Sequence, residues 1–547
     1  MKEIIVNRGK VDKGTNFINL ENQVLEDVEI IGDKLINDGE GYNGVCVVKD
    51  SDIINCNISN FGGYGIVTSN GKNNISIYDV KDEDGKTVYG ISYKNLEMID
   101  DSHIHLIKRI NVENFNQFEL GYTFGYMGYN YCNGRNYLAK FYDVNDEVIE
   151  VVKGVQYDKI KVPNGAKLVD FIIEQTYIPT RGNSDFNDAV LFISDYDCPK
   201  VKIKDCYIHD QSRENIAICG GQGVNVDNCR LENTWIGLCI EDGWELCKDV
   251  LVKNCKFNGN GRDVIIASGR NLVLENNTFS AWVNIGNRVE GLKFNNNIFD
   301  VSDDNHKHCN DRFVVEVHKG DIEICDNVFK KSRVQLFSDD YAKAGNAKVI
   351  MKGNVFEDTP ITVMDKLFIC EDSEIKGKPE RIAGQYKNCN LHFIEADVCG
   401  VDVTDSDVHD IGRCKFQNSN TFDNCNISNV GFEIFNDYKN ATTTISNSNL
   451  NDTAFAINGR GKNNVKYLVN NCTIRLTKPL INMFNITGMG TYHFKDCKII
   501  GDNIDYLCKT AWTESDPNEY KIIFENCTIE GVKEIANPKI KKYITVL

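Results

Sequence analysis

Proline is scarce in this sequence, with eight among 547 residues, and no long low-complexity run occurs. Both absences argue against extended disorder. Long apolar stretches are missing too: none reaches the roughly 20 residues that span a bilayer, so membrane insertion is not expected. The first ten residues, Met-Lys-Glu-Ile-Ile-Val-Asn-Arg-Gly-Lys, hold neither an apolar segment nor a small-residue cleavage site, so no signal peptide is expected. Positive charge is short as well. The 61 Lys and Arg against 79 Asp and Glu leave a net charge of −18, and nothing in that balance neutralises phosphates, so nucleic acid is excluded as an expected partner.

What the sequence has in quantity is one short phrase. Val224-Asn-Val-Asp-Asn-Cys-Arg-Leu231, Val250-Leu-Val-Lys-Asn-Cys-Lys-Phe257, Leu272-Val-Leu-Glu-Asn-Asn-Thr-Phe279 and Leu292-Lys-Phe-Asn-Asn-Asn-Ile-Phe299 share it. Apolar and polar residues alternate with period two, which is a strand pattern. The Asn tolerates a left-handed backbone and so marks a bend closing each strand. Anchored on the residue after that bend, the slots are Cys56, Cys206, Cys229, Cys255, Asn277, Asn297, Asn327, Asn354, Cys389, Cys425, Ser448, Cys472, Cys497 and Cys527. From Cys206 to Asn297 they step by 23, 26, 22 and 20 residues, and from Cys425 to Cys527 by 23, 24, 25 and 30. A drifting period in the twenties is the signature of a solenoid.

A second strand precedes each phrase, as in Asn215–Cys219, Ile236–Ile240, Asp263–Ala267, Trp282–Gly286 and Phe313–Val317. The predicted fold is therefore all-β: a right-handed parallel β-helix with an inserted antiparallel β-sandwich. Nine of the 21 cysteines fall in the slot, where like stacks on like. They read as a ladder of small buried thiols, which suits a reducing site of synthesis.

The expected divisions are a lead-in cap at 1–27, first coils at 28–81, the insert at 82–187, the main helix at 188–534 and a C-terminal cap at 535–547. Within the main helix, slots 35 and 36 residues apart mark 360–420 as irregular, with coils that carry loops. The insert interrupts the repeat with dense aromatics, Gly121-Tyr-Thr-Phe-Gly-Tyr-Met-Gly-Tyr-Asn-Tyr131, and antiparallel-looking strands around turn signals.

Two segments resemble known families. Phe141-Tyr-Asp-Val-Asn-Asp-Glu-Val-Ile149, Lys159-Ile-Lys-Val-Pro-Asn-Gly-Ala-Lys167 and Val169-Asp-Phe171 resemble a jelly-roll module of tail and baseplate proteins of phages of Gram-positive hosts. Ser212-Arg-Glu-Asn-Ile-Ala-Ile-Cys-Gly-Gly-Gln-Gly-Val-Asn-Val-Asp-Asn-Cys-Arg-Leu-Glu-Asn-Thr234, followed by Gly237-Leu-Cys-Ile-Glu241, is similar to a phrase of pectin-lyase-like β-helices in phage and prophage tail proteins. Arg213 and Glu241 match that phrase, whereas Cys239 stands at the first acid and Asp242 at the proline.

The resemblance implies a spike or receptor-binding component of a phage or phage-tail-like particle. Such a protein is a homotrimer, made in the bacterial cytoplasm and located in the virion. It docks on tail and baseplate proteins and contacts host surface polysaccharide or surface-layer protein. A polysaccharide lyase or hydrolase on the same scaffold is the alternative, and a purely structural tail role is a third.

Catalytic signals are thin. The polygalacturonase-like set Asn-Thr-Asp, Asp-Asp, Gly-His-Gly and Arg-Ile-Lys is absent as a set, and so is the Asp-Pro-His of mannuronan epimerases. With Ile218, Ile240, Ile266, Ile285 and Val317 pointing inward, only Glu241, Glu316 and His318 are placed for acid–base work on the outer face. Glu316 and His318 are neighbours at about 7 Å by strand geometry. Glu241 and His318 are three rungs and about 14 Å apart, beyond the roughly 5–9.5 Å of a glycosidase carboxyl pair. Arg213, Asp242, Trp244, Tyr126 and Tyr129 are the candidate ligand contacts, with Trp244 suited to stacking on a sugar. No cofactor is expected, although Glu241-Asp-Gly-Trp-Glu245 carries oxygen donors of the kind Ca²⁺ takes. Asp303, Asp304, His306, His308, Cys309 and Asp311 crowd one loop, which reads as a solvated polar turn.

Overall fold

A computed structural model of the chain describes all residues except 1, 6–15, 33–41, 69–73, 77–92, 95–96, 99–102, 106–108, 124–135, 156–157, 175–189, 195–198, 242–246, 302–311, 318, 339–341, 365, 378–380, 394–396, 410–412, 436–437, 440, 459–462, 487–489 and 514–519. Two compact units divide it, Met1–Val273 and Leu274–Leu547. In each, short parallel strands stack coil on coil, and the fold is a right-handed parallel β-helix.

The corners follow from residue type. In the first unit Asn55, Asp205, Asn228 and Asn254 lie at φ between 49 and 56°. In the second, eleven Asn and Asp from Asn276 to Asn526 lie between 50 and 57° immediately before a slot. Only Gly and the short polar Asn and Asp enter this left-handed region at little cost. Five residues further on a second left-handed residue closes the arm, as at Asn60, Asp210 and Asn233, with φ of 62, 59 and 54°. The recurring phrase is therefore two corners with a three-residue strand between them, such as Tyr207–His209 or Arg230–Glu232.

The slot side chain turns inward beside the corner, where carbonyls need donors. Cys206 Sγ lies 3.1 Å from Lys204 O and 3.5 Å from Ile53 O of the preceding coil. Cys229 repeats this at 3.3 Å from Asp227 O and 3.6 Å from Ile203 O. All eighteen cysteines among the described residues are free thiols. At Asn277, Asn297, Asn327 and Asn354 in the second unit the slot becomes an asparagine ladder. Asn327 Nδ2 donates to Phe294 O at 2.8 Å and to Asn354 Oδ1 at 3.0 Å, while its Oδ1 accepts from Asn297 N at 2.9 Å.

The segment 360–420 is more regular than its spacing suggests. Ser373 and Ser406 occupy slots after the left-handed Asp372 and Asp405, and their hydroxyls accept from Asn354 N at 3.1 Å and Cys389 N at 3.0 Å. The slots then run 354, 373, 389, 406, 425, in steps of 19, 16, 17 and 19 residues. These coils are shorter than their neighbours rather than looped.

The divisions need three corrections. Lys2–Ile5 and Asn16–Leu20, expected in a lead-in, already belong to coils, since they pair in parallel with Val28–Ile31 and Asn43–Val47. The C-terminal segment likewise extends the ladder, with Ile544–Val546 parallel to Tyr520–Glu525. The insert is also wider than 82–187. Strand Tyr64–Thr68 pairs directly with Glu214–Ile218, so the coil is left after Thr68 and rejoined by Val201, which pairs with Ser51. Asn74–Ser76 and Val190–Ser194, both expected in the β-helix, instead pair antiparallel with each other. Among the described residues the inserted segment holds three antiparallel sheets, the smallest being Tyr93–Lys94 with Glu97–Met98. Phe118 of one of the two larger sheets meets Phe141 and Phe171 of the other at ring-centroid distances of 6.0 and 5.4 Å.

Candidate functional site

In the first unit the strands Asn43–Val47, Tyr64–Thr68, Glu214–Ile218 and Ile236–Ile240 lie side by side in one parallel sheet. Ile216 and Ile218 point into the coil, level with Ile66 and Thr68 on one side and with Leu238 and Ile240 on the other. Alternation then sends Cys46, Val67, Ala217, Cys219 and Cys239 outward. All are buried, and Cys46, Val67, Ala217 and Cys219 pack as one cluster with Val48 and Tyr64. This part of the outer surface is closed over. The Cys219 and Cys239 thiols are held well above their ordinary pKa, by burial first and by nearby Glu241 and Glu214 next.

At the edge of that closed patch the polar residues gather. Glu214 is 3% exposed, and its Oε1 lies 3.4 Å from Arg213 Nε. Its Oε2 is buried with no hydrogen-bond partner among the described residues. Burial pushes its carboxyl up to about 8, with Arg213 opposing and the Glu241 charge adding to the rise. The Arg213 guanidinium lies over the Tyr64 ring, 4.9 Å from its centroid. Burial first, then the Glu214 charge, raises the Tyr64 phenol.

The next two coils repeat the device. Trp235 is 53% exposed, and the Arg262 guanidinium stands 5.3 Å from its ring. Register ties the four together. Tyr64, Glu214, Ile236 and Arg262 are level on successive coils, while Arg213 and Trp235 each sit one residue earlier on their strands.

The structure therefore brings the expected Arg213 and Glu241 to one neighbourhood, built around Glu214, Tyr64, Trp235 and Arg262, which sequence reasoning passed over. A usable signal existed. Arg213 and Trp235 each stand immediately before the strand that follows a left-handed corner, at Asp210 and Asn233. Trp244, Asp242, Tyr126, Tyr129 and His318 lie outside the described residues, as does the Asp303–Asp311 loop. Glu316 is in the second unit and exposed as a residue, and partial desolvation of its carboxyl raises its pKa. Val317 is buried as expected, and the residue level with Ile285 on the next coil is Val315. Among the described residues no three metal-ligating side chains gather, and no helix is long and apolar enough to cross a membrane.

A neighbouring face carries a second polar network. His209 Nδ1 meets Asp210 Oδ2 at 2.6 Å, and its Nε2 meets Asn57 Oδ1 at 3.0 Å. The Tyr207 hydroxyl donates to Glu232 Oε2 at 3.0 Å, and Arg230 Nη2 forks onto both Glu232 oxygens at 2.9 and 3.1 Å. The Arg230 guanidinium also lies 4.6 Å from the Tyr207 ring centroid. These groups satisfy one another, which makes the network a brace between coils.

Comparison with known proteins bears on the fold. The profile of a family described as "Right handed beta helix region" matches residues 171–304. Three solved structures resemble the chain. The A-module of mannuronan C-5 epimerase AlgE6 from Azotobacter vinelandii is 12% identical, covering 64% of this chain and 89% of that one, with a TM-score of 0.22. The Gp54 tailspike of Acinetobacter baumannii bacteriophage AP22, solved with A. baumannii capsular saccharide, is 9% identical over 100% and 74%, with a TM-score of 0.24. The catalytic unit of a GH87 α-1,3-glucanase from Streptomyces thermodiastaticus is 10% identical over 81% and 87%, with a TM-score of 0.13. No curated protein matches the sequence. The chain is a right-handed parallel β-helix protein, an assignment that stands on its own coils; the three structural likenesses are too loose to transfer a residue or a ligand.

Proposed function

We propose that the chain is a glycan-contacting β-helix protein of a phage tail or phage-tail-like particle, a spike or receptor-binding component that meets host surface polysaccharide. The observation that carries the glycan reading is Trp235. It is 53% exposed, with a guanidinium 5.3 Å from its ring and Arg213 one coil away. An exposed indole offers a flat apolar face for the C–H face of a sugar ring, and flanking arginines supply forked donors for its oxygens. Assignment to a particle, with tail or baseplate proteins as docking partners and a homotrimeric state, rests on the resemblance of the two segments described from the sequence. A surface-layer protein is the other host ligand that resemblance allows.

Binding of the purified protein to surface polysaccharide extracted from candidate hosts tests the reading. Trp235→Ala should weaken binding about fivefold or more, since loss of one stacked aromatic costs on the order of 1–3 kcal/mol, and should leave the fold intact. Undiminished binding in both Trp235→Ala and Arg262→Gln rejects this edge.

Glu214 favours a second reading, that of a depolymerase. A carboxyl held neutral near pH 7 is in the state a general acid needs, and Glu241 lies close enough to raise it further. New reducing ends, or an unsaturated product absorbing in the ultraviolet, that vanish in both Glu214→Gln and Glu241→Gln would establish it. Binding without either product removes it.

A further inference from the structure

The two aromatic–arginine pairs of the first unit form a sequence along the solenoid. Four consecutive coils present Tyr64, Arg213, Trp235 and Arg262 within one residue of the same register position. Aromatic and cation alternate coil by coil. Each arginine lies over the aromatic of the coil before it, at 4.9 and 5.3 Å from the ring centroid. The second unit uses the same device, with Arg312 4.4 Å from the Trp282 ring centroid.

Parallel coils repeat at about 4.8 Å, close to the length of one pyranose residue in a chain. A polysaccharide lying along the solenoid axis would therefore meet one coil per sugar, stacking on an aromatic at one residue and facing a guanidinium at the next. A guanidinium recognises a carboxylate by a two-pronged hydrogen bond that a neutral sugar cannot reproduce. Net charge sharpens the point, because a chain carrying −18 overall repels polyanions everywhere except where cations gather. We infer that this edge binds an acidic polysaccharide along the coil axis, with one carboxylate on every second sugar. The inference rests on the glycan reading and narrows it to a charge pattern.

Three defined polymers separate the possibilities: hyaluronan, whose acidic and neutral sugars alternate, polygalacturonate, which is acidic at every sugar, and dextran, which is neutral. The full chain should bind hyaluronan at least tenfold more tightly than the other two. Affinity should rise with oligosaccharide length until four sugars are covered and then level off. Arg213→Gln and Arg262→Gln should each lose about tenfold, the scale of a charge-assisted pair. Arg213→Tyr, which breaks the alternation while keeping an aromatic stack, should lose hyaluronan preference and retain its circular dichroism spectrum. Equal binding of polygalacturonate or dextran overturns the alternation, as does failure to bind hyaluronan at millimolar concentration. In either case Trp235→Ala still weakens binding to the host polysaccharide if the broader glycan reading holds. A Trp235→Ala protein that binds host polysaccharide as well as the parent sinks both.

Discussion

Glu214 makes the stability of the first unit depend on pH in a direction opposite to most paired carboxylates. Its carboxyl rises from 4.5 to about 8 on folding, chiefly by burial, and each tenfold change in proton affinity is worth about 1.4 kcal/mol. The folded state therefore binds more protons than the unfolded one between those two values, and stability falls as pH rises through that window. Below 4.5 the group is neutral in both states and costs nothing. Above about 8 it is ionised in both, and the full penalty of burying the charge, about 5 kcal/mol, is felt. Glu214→Gln keeps the shape and removes the ionisation. Urea unfolding at pH 5, 7 and 9, read by hydrogen exchange in the coils around 214–218, should show the variant near parity at pH 5. It should be more resistant at pH 7 and most resistant at pH 9. A difference between the two proteins that stays constant from pH 5 to 9 would refute the argument. It would mean that Glu214 is solvated and that Arg213 is permanently neutralised.

Other consequences follow from the corners and the slot. Asn327→Ala removes the acceptor of the buried Asn297 N–H and the donor to Phe294 O, and should cost about 2–4 kcal/mol in urea unfolding. Asn327→Cys, the residue found in this slot elsewhere, should cost less. At Asn228, where φ is 53°, replacement by Ala should cost about 1 kcal/mol or more in thermal unfolding, while Gly should be tolerated. If Ala and Gly behave alike there, the corner is not set by backbone conformation.

Much of the fold was legible because its determinants are local. Alternation assigns each side chain to a face, and an Asn or Asp before a small residue marks a left-handed corner without reference to any other part of the chain. The thiol ladder followed from the same phrase, whereas the hydrogen-bonded amides of Asn277, Asn297, Asn327 and Asn354 are seen only in the structure. Ser373 and Ser406 escaped notice because serine is common in any polar stretch, and only the acceptance of a neighbouring coil's N–H distinguishes a slot serine from a solvated one. The insert reaches further in both directions than the break in the repeat suggests. Asn74–Ser76 and Val190–Ser194 have the composition of coil strands, and only their antiparallel pairing excludes them.

The candidate site was half legible. Arg213 and Glu241 were visible through a resemblance, but what joins them was not. Glu214 opens its strand as one acidic residue among many, and nothing within a few residues marks it as buried. Burial of the outward face formed by Cys46, Val67, Ala217 and Cys219 is a property of what lies over it, and no local pattern encodes that. Register likewise depends on the length of every intervening loop, so whether Val315 or Val317 is level with Ile285 is decided only when the coils stack. The sequence alone determined a coiled ladder of strands with asparagine corners and small inward slots, because those choices are made within a few residues. Tertiary structure alone decided which side chains from different coils line up, and so set Tyr64, Arg213, Trp235 and Arg262 along one edge around a carboxyl kept from water.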